Sequence, residues 1–137
     1  MHFYGALNLL TGQETVMQSS LMNAAASVLY LHKLLLTYPD RPIVLLWDRA
    51  PWHRGQPIQA LLAAHPRLQL LVLPTAAPDL NPQEHVWKAT RQAVSHNHSF
   101  TCLHALADAF EAHLLSTTFP CSLLQAHAYQ ALCMMFI

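Results

Sequence analysis

Two apolar runs separated by one helical stretch constrain this chain most. Ile43-Val44-Leu45-Leu46-Trp47 is continuously apolar, and Leu68 to Leu73, interrupted only by Gln69, reads as a second buried strand. A continuous apolar run suits a strand buried on both faces, the pattern of a parallel sheet. Gln56 to His65 between them reads as a helix stopped by Pro66. Strand, helix and strand in that order predict a right-handed parallel crossover. The first run leads directly into Asp48. In open α/β sheets, ligands collect beyond the carboxyl ends of the strands.

The remaining segments arrange themselves around that unit. His2 to Asn8 reads as a strand, Thr11-Gly12 as a turn, and Gln13 to Ser19 as its hairpin partner. Leu21 to Thr37 has no breaker and is apolar nearly all round, which predicts a buried helix ended by Pro39 and Pro42. Pro82 to Ser95 is a further helix. Phe100, Leu103, Ala107, Phe110 and Leu114 step by three or four, giving one amphipathic helix. The tail from Cys121 to Ile137 adds a last short helix in this reading. The class is α/β, a single domain over residues 1–137, with an antiparallel hairpin on its N-terminal side.

Composition narrows the function classes. With 53% apolar and 10% charged residues, 137 residues are enough for a substantial core and too apolar for disorder. Seven basic and seven acidic side chains cancel, so net charge carries no electrostatic footprint for nucleic acid and predicts poor solubility. Three cysteines, with no Cys-x-x-Cys, do not make a disulfide framework and fit a reducing, cytoplasmic setting. No signal peptide and no apolar run of membrane-spanning length is visible, so no membrane association is expected. Three glycines exclude a P-loop and a dinucleotide fingerprint. Ten histidines, densest at His96, His98 and His104, lack zinc-ligand spacing.

Two carboxylates stand out. Asp48, at the end of the first run, is placed for a site, and it also suits the turn before Pro51. Glu84 follows Asn81 and Pro82, a good N-cap and a good first helical residue, so it falls at the third helical position. That is the layout of a capping box, which accounts for these residues structurally, and the same cap would aim Glu84. His53, five residues beyond Asp48, is a candidate to orient it or touch a phosphate, or is a half-buried loop residue. Lys88 and Arg91 share a helix face with Glu84; they are candidate DNA-backbone contacts or a solvated face. Arg49 beside Asp48 is a further candidate DNA contact.

Taken together, Asp48-Arg49-Ala50-Pro51-Trp52-His53, the strand and proline from Leu68 to Pro74, and Pro78-Asp79-Leu80-Asn81-Pro82-Gln83-Glu84-His85-Val86-Trp87 resemble the catalytic domain of DDE transposases. The resemblance is to the mariner-like superfamily, in its bacterial insertion-sequence branch. The Tyr4 to Gly12 hairpin resembles the second and third strands of that domain, and 35 residues intervene between Asp48 and Glu84, as in the family. The resemblance implies an RNase H-like fold, a mixed sheet with flanking helices. It implies DNA strand cleavage and strand transfer at transposon ends. Three carboxylates would hold two Mg²⁺ or Mn²⁺ ions about 4 Å apart. Asp48 and Glu84 match the second and third of these acids, with His53, Asn81 and Pro82 in support. The partners implied are DNA and either a homo-oligomer or a complementing N-terminal transposase fragment.

The family's first acid lies on a central strand that precedes the hairpin, and no such strand precedes Tyr4 here. The fold expected is therefore incomplete, with an apolar slot between the hairpin and Ile43 to Trp47. Direct pairing across the gap, a borrowed strand and misfolding are the expected outcomes. This polypeptide, read as a truncated transposase, is expected to be inactive alone. The alternative is a non-catalytic remnant or regulator that associates with full-length transposase.

Overall fold

The computed structural model describes residues 2–47, 51, 54–72, 82–95, 100–119 and 134–136. β1 (His2–Asn8) and β2 (Glu14–Ser19) form an antiparallel hairpin, registered from His2 opposite Ser19 to Leu7 opposite Glu14. Asn8 closes its turn: its side-chain oxygen accepts from the backbone N–H of Leu10 at 2.9 Å and of Thr11 at 3.3 Å. Gly12 is required in that turn. Its φ is +74°, and a Cβ there would lie 2.7 Å from the Phe119 carbonyl oxygen.

α1 (Ala24–Thr37) begins where Asn23 accepts from the Ala26 N–H at 2.8 Å. Leu21 therefore precedes the helix rather than opening it, because the N-cap side chain satisfies a backbone donor that leucine cannot. The helix is not buried all round either. Tyr30, Leu31, Leu34 and Leu35 face the core, while Leu29 and Leu36 are 63% and 82% exposed.

β3 (Ile43–Trp47), α2 (Gln56–Ala64) and β4 (Leu68–Val72) are the expected strand–helix–strand unit. The strands are parallel, from Ile43 opposite Leu68 to Trp47 opposite Val72. β4 departs from the expectation of a strand buried on both faces: Leu71 and Val72 are about half exposed. Among the described strands it is the last of the sheet, with β3 alone beside it.

α3 (Pro82–Val94) and α4 (Leu103–Ser116) follow, then β5 (Met134–Phe136). The expected C-terminal helix is contradicted at these last residues, which form a strand; residues 121–133 lie outside those described. The five strands make one mixed sheet in the order β2-β1-β5-β3-β4. β5 lies antiparallel to β1, with Phe136 opposite Leu7 and Met135 opposite Asn8. It lies parallel to β3, with Met134, Met135 and Phe136 opposite Val44, Leu45 and Leu46. The slot between hairpin and β3 thus exists, and it is not closed by direct pairing: Met134–Phe136 lies between the two. The two facing strand edges have unmet backbone donors and acceptors, and a third extended segment pairs with part of each.

Strand alternation divides the core into two layers. Tyr4, Ala6, Ile43, Leu45, Trp47 and Leu68 pack with α1 and α2. Leu7 and Val16 pack with α3, α4 and Phe119, with Phe3 and Leu46 at the margin.

Candidate active site

The first turn of α3 presents its residues in two directions. Gln83, Val86 and Thr90 are buried, at three- and four-residue steps, and Trp87 packs partly beside them. Glu84, Lys88 and Arg91 are exposed on the outer face. The helix starts at Pro82, and Glu84 is its first-turn acid, where the unpaired backbone N–H groups favour negative charge. The expected common face of Glu84, Lys88 and Arg91 is present.

α3 is held by side chains on its inner face. Trp87 stacks on Phe110 of α4 with ring centroids 6.2 Å apart. Thr90 Oγ1 meets His113 Nδ1 of α4 at 3.2 Å. Against the sheet, Gln83 donates from Nε2 to Glu14 Oε2 at 3.3 Å. Gly5 lets α3 approach this closely: a Cβ at that position would meet the Trp87 ring at 2.5 Å, and Gln83 Nε2 and Glu14 Oε2 at 2.9 Å.

Glu14 is the only acid in the hairpin, and its position does not match the family motif. It sits at the start of β2, only 8% exposed, and its Oε1 is buried without a hydrogen-bond partner among the described residues. Burial raises its pKa from 4.5 to about 8, with the Gln83 hydrogen bond opposing the rise. It is therefore largely protonated at neutral pH. The available signal was strand alternation: Glu14, Val16 and Gln18 share one face of β2, and Val16 belongs to the inner layer. Gln18 on that face donates to Glu111 of α4. On the opposite face Tyr30 donates to the Thr15 carbonyl at 2.6 Å; burial, then Glu14, then Tyr38 push its pKa up.

β3 ends at Trp47, immediately before Asp48 in the chain. Asp48, Arg49, His53 and Asn81 all lie outside the described residues, so the structure gives no geometry for them. Of the candidate site residues, Pro82, Glu84, Lys88 and Arg91 are described, the first by its backbone alone. Among the described residues no three His, Cys, Asp or Glu side chains gather as a metal site. Glu84 is an exposed oxygen donor of the type a hard divalent cation takes, and it does not make such a site by itself. A cavity of about 280 Å³ opens between Phe3, Arg91, Leu103, Leu106 and Phe110; its lining is mainly apolar. Among the described residues no helix is long and apolar enough to cross a membrane.

Comparison with known proteins gives the chain's family. A family model described as DDE superfamily endonuclease matches residues 1–107. The chain is also similar to the insertion element IS630 uncharacterized 39 kDa protein of Shigella sonnei, at 25% identity over 117 residues. That match covers 85% of this chain and 34% of the relative, so the chain spans about a third of that protein's length. The family match takes in the hairpin, the parallel strand unit and α3 with Glu84, and by it the chain belongs to the DDE superfamily endonucleases.

Proposed function

We propose that this chain is the C-terminal part of a transposase catalytic domain with an RNase H-like sheet, and that Asp48 and Glu84 are two of its metal-holding carboxylates. The observation that carries the reading is the placement of Glu84: exposed in the first turn of α3, a helix anchored to β1 and β2 through Gly5, Gln83 and Glu14. Packing of this kind holds the helix end still while leaving the carboxylate open to solvent. The parallel β3–α2–β4 unit supports Asp48 as the second acid, since it follows the carboxyl end of β3.

Mg²⁺ or Mn²⁺, when bound, activates the attacking water or 3′-hydroxyl and stabilises the leaving oxygen of a DNA phosphodiester. Asp48 and Glu84 would hold the ions. Arg49, Lys88 and Arg91 would meet the DNA backbone, and Lys88 and Arg91 already share the exposed face of α3 with Glu84. His53 would orient Asp48, and Asn81 with Pro82 would cap the helix that aims Glu84.

Two carboxylates leave a pair of divalent ions underligated, so the 137-residue polypeptide alone is proposed to be inactive. A separate polypeptide carrying the first strand would supply the third acid; the other proposed partners are DNA and further copies of the chain. The test is supercoiled plasmid nicking in Mg²⁺ or Mn²⁺. The expected result is no nicking by the purified chain, and metal-dependent nicking after co-expression with an N-terminal transposase fragment. That restored activity should vanish in Asp48→Ala and in Glu84→Ala. Nicking by the chain alone that is lost in Asp48→Ala would refute the inactivity. Restored nicking that survives Glu84→Ala would refute the site.

A further inference from the structure

α1 and α2 share one layer of the core, packed on the sheet face that carries Tyr4, Ala6 and Leu45. Their packing brings together two histidines that lie far apart in the chain. His32 of α1 and His65 at the C-cap of α2 meet edge to face, with ring centroids 5.7 Å apart and ring planes at 90°. His32 is exposed and His65 half-buried, so solvent reaches the pair. No spacing along the sequence announces it, because separate helices carry its two members.

The backbone beneath His65 is fixed. Its N–H donates to the carbonyls of Leu61 at 3.0 Å and Leu62 at 3.3 Å, and its carbonyl accepts from the Leu68 N–H at 3.0 Å. Just beyond it, Arg67 clips the end of α1. Its guanidinium donates to the carbonyl oxygens of Leu35 at 2.7 Å, Tyr38 at 2.6 Å and Arg41 at 3.0 Å. That positive charge is thereby engaged by carbonyls at and beyond the helix C-terminus.

We propose that His32 and His65 form a two-nitrogen site for Zn²⁺ or a similar borderline divalent ion, which fastens α1 to α2. Imidazole nitrogen is a ligand these ions take, at about 2.0–2.1 Å for Zn²⁺. With that bond length, two imidazoles on one tetrahedral ion stand with their ring centres roughly 5 Å apart. The observed separation is close to this, and rotation of the exposed His32 ring brings a nitrogen to the shared ion. Among the described residues no third His, Cys, Asp or Glu joins the pair, so water completes the coordination. Two ligands held on packed helices avoid much of the ordering cost that a flexible pair incurs.

The site is separate from the carboxylate site proposed above, in place and in chemistry. It lies on the α1–α2 side of the sheet, whereas α3, which carries Glu84, packs on the other side. Nitrogen donors favour Zn²⁺, Cu²⁺ or Ni²⁺, and Mg²⁺ takes oxygen. The inference does not rest on the nuclease reading.

The test is calorimetric titration of the purified full chain with ZnCl₂ alone. It is repeated on His32→Ala, on His65→Gln, on the two combined, and on His104→Ala in α4 as a control. His32 is exposed and glutamine keeps much of the bulk of His65, so both variants should fold. Zn²⁺ taken by the cysteines is common to every variant and drops out of the comparison. Either single change should weaken the site about tenfold or more, as loss of even an outer partner of a metal ligand does. The combined variant should lose no more than either single one, because removing one ligand already breaks the chelate. Zn²⁺ should also raise the melting temperature of the unaltered chain more than that of His32→Ala. Excess Mg²⁺ should leave the binding unchanged. Losses that add in the combined variant would mean two independent imidazoles and overturn the proposal. An isotherm that neither change alters, the mark of an adventitious ion only, would overturn it too. So would an equal loss in His104→Ala, or displacement of the ion by Mg²⁺.

Discussion

Glu14 keeps its carboxyl against Gln83 beneath the first turn of α3, where burial lifts its pKa from 4.5 to about 8. Between those values the folded chain holds a proton that the unfolded chain has released. Folding is thus favoured most below about pH 4.5, and this contribution is lost as pH rises through 8. Each pKa unit corresponds to about 1.4 kcal/mol, so the loss amounts to a few kcal/mol. Glu14→Gln should flatten the pH dependence of stability, with a gain relative to the parent that grows from pH 5 to pH 9. Denaturant melts at the two pH values check this, and equal slopes for both proteins would contradict it. Gly5 offers a second test at the same spot. Gly5→Ala brings a methyl into the Trp87 ring and the Glu14–Gln83 pair, and should destabilise by roughly 1–3 kcal/mol. An unchanged melting temperature would show that α3 does not sit so close to β1.

At the level of elements, the boundaries follow local chemistry that one sequence carries. The hairpin limits, α2 and α3 match the periodicity and turn residues that announce them. The start of α1 does not, because an apolar run extends through Leu21 and Met22 and conceals the cap at Asn23. Asn23→Ala should cost about 1 kcal/mol, since it frees the Ala26 N–H. Thermal denaturation reads the loss, and a variant as stable as the parent would argue that packing alone sets this helix end. β4 was misjudged for a different reason. Apolar composition says that a strand has hydrophobic faces, but not whether anything covers them, and β4 lies at the sheet edge. Glu14 belongs to the same class of miss: alternation placed it on the inner face, while motif spacing directed attention to Glu84.

For the whole molecule, apolar surface that the fold leaves uncovered matters as much as its core. Leu36 is 82% exposed and Leu29 63%, on a chain whose acidic and basic residues cancel. Leu36→Lys should raise solubility while changing stability by no more than about 0.5 kcal/mol, because the side chain buries little. Precipitation thresholds and melting curves measured together check both halves of that expectation. The sequence by itself determined the parallel strand unit, the hairpin, the helix that starts at Pro82 and the family resemblance, because each depends on residues close together in the chain. It also marked the position between hairpin and β3 as a gap. Only the tertiary structure decided what lies in that gap, which faces of β4 and α1 stay exposed, and which acid is buried beneath α3. Strand order and burial arise from pairing between segments more than a hundred residues apart, such as Leu7 with Phe136, and no local pattern encodes that choice.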